Sequence, residues 1–388
     1  MKIGVIGAGR LGICFALLAE AAGYDVLVSD IREDYVEKLN QRKIETNEPE
    51  VANLLERSKN FRATTDNKEV IDECDLIWVL VATPSLENGD YDVSSVWNVV
   101  LDFQEVKKTK HLIIGCTTNP GDCSSFQQQL PHNVHVYYNP EFIAQGSIIK
   151  DLREADMVLL GLDLNAHGSS SVWDVERKIN KLYHDIQTTR VIFSVMSTGA
   201  AEITKIALNC FLTTKISYAN MVGDVLRQAG CGDEITAVLN SIGADSRVGR
   251  KYLRYGYGYG GPCLPRDNRA FASFAKRVGL DYNLGTTTDE INNKHSDFLG
   301  EYYSKMNKDG HPFYFEYITY KKGTDIMVES QQFRLCLDLL TRGYMVYIKK
   351  DRRVPDEVYE DILMAHGENV RFVDDKKYII GPVFIVDL

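Results

Sequence analysis

Residues 2–30 read KIGVIGAGRLGICFALLAEAAGYDVLVSD, and this stretch decides the fold. An apolar strand runs into a glycine turn, an Ala- and Leu-rich helix follows, and a second apolar strand ends at Asp30. In a dinucleotide-binding turn the first glycine makes the bend, the second lets the backbone approach the pyrophosphate, and the third packs helix on strand. The flanking strand and helix favour binding over an ordinary turn. The predicted cofactor residues of this turn are Gly7, Gly9, Arg10, Leu11 and Gly12.

Asp30 indicates which dinucleotide is bound. An acidic side chain at the end of the second strand accepts hydrogen bonds from the adenosine ribose hydroxyls and repels a 2′-phosphate. NAD is therefore favoured as the cofactor, while Arg32 close by keeps NADP open as the alternative.

The composition is that of a globular protein from a reducing compartment. The 388 residues are 44% apolar and 25% charged, which suits two or three domains, and a net charge of −10 argues against a nucleic-acid partner. The eight cysteines form no CxxC pairs, and several fall in apolar segments. Because the first strand begins at Lys2 and no apolar run is long enough for a bilayer, we expect no signal peptide, no membrane partner and a cytoplasmic location. No metal site is predicted.

Further apolar runs predict an open α/β sheet. Residues 76–81, 111–115 and 134–138 are typical of buried strands, and a polar loop follows each of them. Side chains just beyond strand carboxyl ends are where such sheets bind ligands. The candidates in these loops are Thr83, Pro84, Thr117 and Glu141.

The second half of the chain predicts a long helix and a second sheet. Residues 197–229 lack proline and carry apolar residues at helical spacing, so they form one long helix or two abutting ones. We predict strands at 313–319 and 344–348, a helix at 329–341, and closing strands at 378–380 and 383–386. The expected fold is α/β, with two Rossmann-like domains joined by a long central helix. The predicted domains are residues 1–195, 196–305 and 306–388.

Residues 256–267 read GYGYGGPCLPRD and place one cysteine in a glycine-dense, flexible loop. A thiol acting with a nicotinamide suggests oxidation through a thioester. The alternative for Cys263 is a buried structural cysteine, although the neighbouring Pro262 and glycines argue against regular core structure. Lys205 and Asn209, four residues apart, share one helical face, and their alternative is a solvated polar stripe.

Many ordered motifs together resemble those of one family. Besides the glycine turn and the cysteine loop, they are Glu48-Pro49, Thr83-Pro84, Cys116-Thr117, Asn139-Pro140-Glu141-Phe142, Ala201-Glu202, Asp245 with Arg247, and Tyr320-Lys321. The chain thus resembles the UDP-glucose 6-dehydrogenase family, within the UDP-glucose and GDP-mannose dehydrogenases. The resemblance implies oxidation of the C6 alcohol of a nucleotide sugar to a carboxylate, with two NAD+ and one water. UDP-glucose is the favoured substrate because Phe142 fits the glucose and mannose branches, and GDP-mannose is the nearest rival.

Two other interpretations of the function stay open. One is a catalytically degraded homologue that binds nucleotides, and the other is a two-electron hydroxyacid dehydrogenase. The second does not explain the cysteine loop.

The resemblance also implies roles for individual residues. Cys263 matches the covalent nucleophile, and Lys205, Asn209 and Asp267 match groups that stabilise oxyanions at C6. Glu141 and Thr117 match residues around the hydrolytic water, with Glu141 the candidate general base. The alternative for Glu141 is a carboxylate stabilised by a helix dipole.

Binding residues follow from the same resemblance. Arg247 matches an arginine that reaches the neighbouring subunit's substrate, which implies a homodimer. The other implied substrate residues are Phe142, Ile143, Ala144, Gln145, Tyr252, Leu253, Arg254, Tyr255, Gly256, Gly260 and Lys321, together with Glu141, Lys205 and Asn209. The implied cofactor residues outside the turn are Asp30, Arg32, Thr83, Pro84, Thr117, Gln145 and Arg266.

Three residues depart from the family pattern. Gln145 stands where a second glutamate is common, so Glu141 must act alone as base. Val328 and Tyr35 replace basic residues that serve the cofactor, which predicts weaker NAD binding or compensation by Arg32 or Arg266.

Overall fold

The computed structural model describes residues 1–144, 146–164, 170–386 and 388, with the side chains of 170–172 excepted. The chain forms two compact units, Met1–Lys205 and Ile206–Leu388. None of the helices in these ranges combines the length and the hydropathy that a bilayer crossing requires.

The first unit is built on an eight-stranded sheet with the order β3-β2-β1-β4-β5-β6-β7-β8. Its strands are β1 Lys2–Ile6, β2 Asp25–Ser29, β3 Phe61–Thr64, β4 Leu76–Val79, β5 Lys110–Ile114, β6 Val134–Tyr138, β7 Met157–Leu162 and β8 Ile192–Ser197. Neighbouring strands are parallel except for β6 and β7. The chain moves from β1 outward to β2 and β3 and then returns to β4 on the other side of β1. This reversal is where sheets of this kind bind dinucleotides.

Helices cover both faces of this sheet. They are α1 Arg10–Ala21, α2 Glu33–Asn40, α3 Val51–Arg57, α4 Asn67–Glu73, α5 Ser94–Asp102, α6 Asp122–Gln129, α7 Ile148–Arg153 and α8 Ser170–Ile186. One apolar cluster packs α1, α3, α7 and α8 on the sheet, and a second packs α4, α5 and α6 on it. The central strands are buried on both sides, which explains why they are continuous apolar runs in the sequence.

The second unit is also α/β. Its sheet has the order β11-β10-β9-β12 and is parallel throughout. The strands are β9 Phe313–Phe315, β10 Val346–Lys349, β11 Val370–Val373 and β12 Phe384–Ile385. The helices are α9 Thr198–Gln228, α10 Ile235–Ala244, α11 Leu264–Arg277, α12 Leu284–Met306, α13 Gln331–Thr341 and α14 Asp356–His366. The first residues of α9 belong to the first unit. The predicted α/β fold with a long central helix is confirmed, and α9 is one continuous helix. The three predicted domain ranges stay a prediction.

The strands predicted for this sheet differ from the observed ones in three details. Residues 378–380 are not a strand: Lys376–Tyr378 form a 3₁₀ turn started by the Asp375 side chain, and Ile380 is fully exposed. Strand β11 was missed because Arg371 interrupts its apolar residues. The strand expected at 313–319 ends at Phe315, the last of three buried residues.

Candidate active site

The glycine turn has the shape that a pyrophosphate needs. Gly7 has φ +97°, and a Cβ on Gly12 would lie 1.9 Å from the Gly7 carbonyl oxygen, so neither position tolerates a side chain. Gly9 differs, because a Cβ there would meet no atom within 4 Å. No side chain caps the N-terminus of α1. Open space before an uncapped helix N-terminus fits a dinucleotide phosphate, with Arg10 and Leu11 in the first turn of α1.

Gly9→Ala is expected to weaken NAD binding at least about tenfold without unfolding the protein. Its φ of −64° suits alanine, but the added methyl group occupies the space next to the helix N-terminus. Calorimetric titration with NAD measures the effect. Gly199→Ala, which also adds a methyl group to open space, is the control. Unchanged NAD affinity in Gly9→Ala would place the phosphates elsewhere.

Asp30 and Arg32 are paired with each other. The Asp30 carboxylate accepts the Ala8 N–H at 3.1 Å and receives Arg32 Nε and Nη2 at 2.8 and 3.0 Å. Burial opposes ionisation of Asp30, but the hydrogen bonds from Arg32 outweigh it and hold its pKa below the usual value. The Arg32 guanidinium also lies 4.1 Å from the centre of the Tyr35 ring. The sequence proposed both residues for the cofactor but gave no sign that each is the other's partner.

Other predicted residues follow parallel strands of the same sheet. Thr83 and Pro84 follow β4, Thr117 follows β5, and Glu141 follows β6. Because β1, β4, β5 and β6 are parallel, their carboxyl ends lie along one edge of the sheet. The predicted placement of these loops is therefore confirmed, whereas their contacts with ligands stay predictions.

Glu141 and Lys205 are brought together in the first unit. Lys205 Nζ donates to the Glu141 carbonyl oxygen at 2.7 Å and lies 4.7 Å from the centre of the Phe142 ring. Burial raises the pKa of Glu141 to about 7, although a hydrogen bond from Tyr183 and the charge of Lys205 oppose the rise. A carboxyl group that titrates near neutral pH suits a general base.

The segment after β6 is anchored by residues that the sequence did not propose for the site. Glu48 is 7% exposed and accepts hydrogen bonds from the Gly146 and Ile148 N–H groups. The Ala144 N–H donates to Asp151 Oδ2 at 2.8 Å, and Ile143 stands between Phe142 and Ala144. Gln145 lies outside the described residues. Glu48 was visible in the sequence only as part of a motif, with no indication of what it binds.

Tyr183 is the most informative residue that sequence reasoning missed. It lies in α8, is 2% exposed, and its hydroxyl is within hydrogen-bonding distance of both Glu141 Oε1 and Asn139 Oδ1. In the sequence it is one of several apolar positions on an amphipathic helix, so no local signal marks it.

Cys263 is exposed at the first turn of α11 in the second unit, as its N-cap residue. The buried cysteines are different: burial raises the pKa of Cys14 and Cys116 to about 12. The alternative of a buried structural cysteine is therefore wrong for Cys263. Arg266 lies in the same first turn of α11.

The glycine loop before Cys263 is held in place by hydrogen bonds. The prediction of a flexible loop was therefore wrong. The Gly256 N–H donates to Asn220 Oδ1, and Asn292 bonds both backbone groups of Tyr259. A Cβ on Gly260 would lie 2.2 Å from the Glu329 carbonyl oxygen. Glycine is needed here for close packing of the backbone.

Asn209 and Asp267 are in direct contact. Asn209 Nδ2 donates to Asp267 Oδ2 at 2.5 Å, and the two residues are 9% and 3% exposed. A solvated polar stripe is therefore the wrong description of Asn209. The carboxylate fixes the orientation of the amide, as a group that stabilises an oxyanion requires.

The remaining predicted substrate residues are spread over the second unit. Leu253 is buried in an apolar cluster with Leu239, so its side chain supports the loop. Arg247 pairs with Asp245, and both are on the surface. Tyr252, Arg254 and Lys321 are exposed, as is Arg247.

His295 clamps the start of the glycine loop and was also missed. Its Nδ1 lies 2.7 Å from Asp224 Oδ2, and its Nε2 lies 2.7 Å from the Gly256 carbonyl oxygen. Tyr255 donates to the other Asp224 oxygen at 2.8 Å. The loop is thereby tied to α9 and α12.

His295→Leu is expected to destabilise the protein by about 2–4 kcal/mol, because Asp224 Oδ2 and the Gly256 carbonyl oxygen both lose the imidazole as their partner. We also expect a raised KM for the nucleotide sugar, since the start of the loop loses the His295 bond to α12 while the Asn292 bonds to Tyr259 remain. Thermal unfolding and steady-state kinetics check both effects. His311→Leu, at a more exposed histidine of the same unit, is the control. Unaltered stability would contradict the clamp.

Comparison with known proteins identifies the family of this chain. A family model described as the NAD binding domain of the UDP-glucose/GDP-mannose dehydrogenase family matches residues 1–187, and the central domain of that family matches residues 199–294. The chain belongs to the UDP-glucose/GDP-mannose dehydrogenase family. NAD is accordingly its cofactor, and the turn and Asp30 are in the matched domain.

Individual relatives are similar to the chain at low identity. A putative UDP-glucose 6-dehydrogenase of Bacillus subtilis is 26% identical over 98% of this chain and 88% of its own length. A GDP-mannose 6-dehydrogenase of Pseudomonas syringae is 28% identical over 97% of this chain and 85% of its own length. A UDP-glucose dehydrogenase structure from Pyrobaculum islandicum shares the fold, with a TM-score of 0.80 at 24% identity, covering 96% of this chain and 86% of that one.

Proposed function

We propose that this nucleotide-sugar dehydrogenase oxidises UDP-glucose to UDP-glucuronate through a covalent intermediate on Cys263. The observation that carries the proposal is the exposed thiol at the first turn of α11, beside a loop fixed by buried side chains. Family membership supports the class of reaction, and the match of Cys263 to the family nucleophile supports the covalent step.

Different residues serve different steps of the proposed reaction. Bound NAD+ supplies the hydride acceptor for both oxidations. The C6 alcohol loses a hydride and a proton to give the aldehyde, to which the Cys263 thiolate adds as a thiohemiacetal. Loss of a second hydride and a proton gives the thioester, and water then releases the carboxylic acid and the thiol. Asn209, oriented by Asp267, and Lys205 stabilise the oxyanions, while Glu141 takes the proton of the attacking water.

The choice of UDP-glucose is the finer part of the proposal. Phe142 after Pro140-Glu141 supports the glucose and mannose branches. Identity does not choose between them, because a UDP-glucose 6-dehydrogenase of Haloferax volcanii and the GDP-mannose enzyme of Pseudomonas syringae are both 28% identical to the chain. GDP-mannose is therefore the second candidate.

Steady-state assays with both nucleotide sugars test the proposal. We expect two NADH for each uronic acid formed, with UDP-glucose the better substrate. Turnover of GDP-mannose without turnover of UDP-glucose would overturn the sugar assignment. One NADH per product would overturn the double oxidation.

A homodimer is part of the same proposal. Phe211, Tyr218, Met221 and Val225 are 42–61% exposed and lie along one side of α9 at helical spacing. A continuous exposed apolar stripe is typical of a protein interface. Light scattering of the purified chain tests this, and a monomer at assay concentration would contradict it.

A further inference from the structure

A chain of hydrogen bonds lies behind Glu141. Tyr183 Oη is 2.7 Å from Asn139 Oδ1 and is also bonded to Glu141 Oε1. Asn139 Oδ1 accepts the Trp78 indole N–H at 3.0 Å, and Asn139 Nδ2 donates to the Leu159 carbonyl at 2.9 Å. Because an indole nitrogen only donates, the Asn139 amide is oriented with its oxygen toward Tyr183.

The hydroxyl of Tyr183 has one proton for two acceptors. When Glu141 is ionised, both its carboxylate and Asn139 Oδ1 accept, and Tyr183 can serve only one of them. When Glu141 is protonated, the carboxyl group donates to Tyr183 and Tyr183 donates to Asn139. Glu141 Oε1, Tyr183 Oη and Asn139 Oδ1 are then all paired through the two donors.

We propose that Tyr183 is a positioning residue for Glu141, whose hydroxyl turns from Asn139 to Glu141 when the carboxyl group loses its proton. The idea rests on the proposed role of Glu141 as base. The Trp78 indole N–H still donates to Asn139 Oδ1 when the Tyr183 hydroxyl points toward Glu141. This rotation of the hydroxyl therefore leaves no buried acceptor unpaired. The ionised carboxylate gains a donor that also fixes its direction.

Two charged or titratable groups act on Glu141 in the described part of the chain. Tyr183 approaches from α8 and Lys205 from α9. Lys205 Nζ is hydrogen-bonded to the Glu141 carbonyl oxygen rather than to the carboxylate. Tyr183 is therefore the group whose removal changes the hydrogen bonds of the carboxylate itself.

Tyr183→Phe is expected to move the acid limb of the pH–rate profile upward by roughly half to one pH unit. The ionised Glu141 loses a charge-assisted hydrogen bond, whereas the protonated form loses a weaker neutral one, so the pKa of Glu141 rises. KM is expected to stay unchanged and kcat at high pH to return close to that of the unmodified protein. A residue that served only packing would lower kcat at every pH without moving the limb.

Tyr137→Phe is the matched control. Tyr137 is 1% exposed, close to the 2% of Tyr183, and its hydroxyl contacts His111 Nδ1 at 3.3 Å. This variant removes a buried hydroxyl from the same unit without touching Glu141, and its pH profile should not move. Replacement of Tyr183 by 3-fluorotyrosine keeps the shape and strengthens the donor, so it should move the limb downward even if Tyr183→Phe folds poorly.

A direct titration separates this inference from the role of Glu141. The ¹³C resonance of the Glu141 carboxyl carbon, assigned by its absence in Glu141→Gln, reports the titration without substrate. An equal midpoint in Tyr183→Phe and the unmodified protein would overturn the inference. A shifted midpoint combined with acid formation that does not depend on Glu141 would leave the inference standing and remove the base assignment.

Discussion

Cys263→Ala should abolish formation of the uronic acid, with a loss of roughly 10³-fold or more, the scale expected when a covalent nucleophile is removed. Without the thiol the aldehyde cannot form a thiohemiacetal, so the second hydride transfer has no tetrahedral donor on the protein. The first oxidation does not need sulfur, so NADH should not exceed one equivalent per sugar consumed. Product analysis together with NADH absorbance checks both statements.

The chain offers a matched control for this variant. Cys231 is the other exposed cysteine among the described residues, and it precedes the 3₁₀ turn Gly232–Glu234 rather than the glycine loop. Cys231→Ala should leave acid formation unchanged. If Cys263→Ala still made the acid with two NADH per product, the covalent mechanism would be wrong and the dehydrogenase would oxidise the aldehyde as a hydrate.

The first half of the fold could be predicted because its signals are local. The strand, turn and helix around Gly7 and the second strand, which ends at Ser29 just before Asp30, each depend on neighbouring residues, and all four are present in the structure. Apolar runs likewise predict β4, β5 and β6, because these strands are buried on both faces.

Contacts made by distant residues could not be predicted in this way. Tyr183 looks like any core residue of an amphipathic helix until the fold brings it to Glu141. Gly260 looks like a hinge, because a sequence does not say whether glycine supplies freedom or merely lacks a Cβ. The Glu329 carbonyl oxygen, 2.2 Å from a Cβ at this position, decides the question. Residues 378–380 are apolar, but Tyr378 and Ile380 are exposed, so apolar content alone predicted a strand that does not form.

Glu141→Gln should slow acid formation by about 10²–10⁴-fold, the range for loss of a general base. A base acts in its ionised form, and the pKa of Glu141 is about 7. The rate of acid formation in the unmodified protein should therefore rise with pH below 7 and level off above it, and this dependence should vanish in the variant. Single-turnover kinetics between pH 5.5 and 8.5 measure it.

Slow hydrolysis has a second visible consequence in Glu141→Gln. Because the proposed mechanism uses Glu141 in hydrolysis and not in the two oxidations, the thioester on Cys263 should accumulate and appear as an added mass on the intact protein. The adduct should be absent when Cys263→Ala is combined with Glu141→Gln. A variant that forms acid normally, with no adduct, would assign the base to another residue.

Glu141→Gln should slow acid formation but make the folded protein more stable at high pH. Burial raises the pKa of Glu141 to about 7 from its usual 4.5, so the folded state prefers the protonated carboxyl group. The stabilising contribution of that proton is complete below pH 4.5 and is lost as the pH rises through 7, which costs about 3 kcal/mol above pH 7. Glutamine does not ionise, so Glu141→Gln should be more stable than the unmodified protein at pH 8 and nearly equal to it at pH 5.

Thermal unfolding of the NAD-free protein at these two pH values decides between a functional and a structural carboxyl group. A structural Glu141, held by Tyr183 for packing, predicts a variant that is destabilised at both pH values. A functional one predicts a gain in stability that grows with pH, in step with the loss of hydrolysis. Burying an ionisable group at the edge of the sheet weakens the fold, and its retention is explained if the raised pKa serves the chemistry.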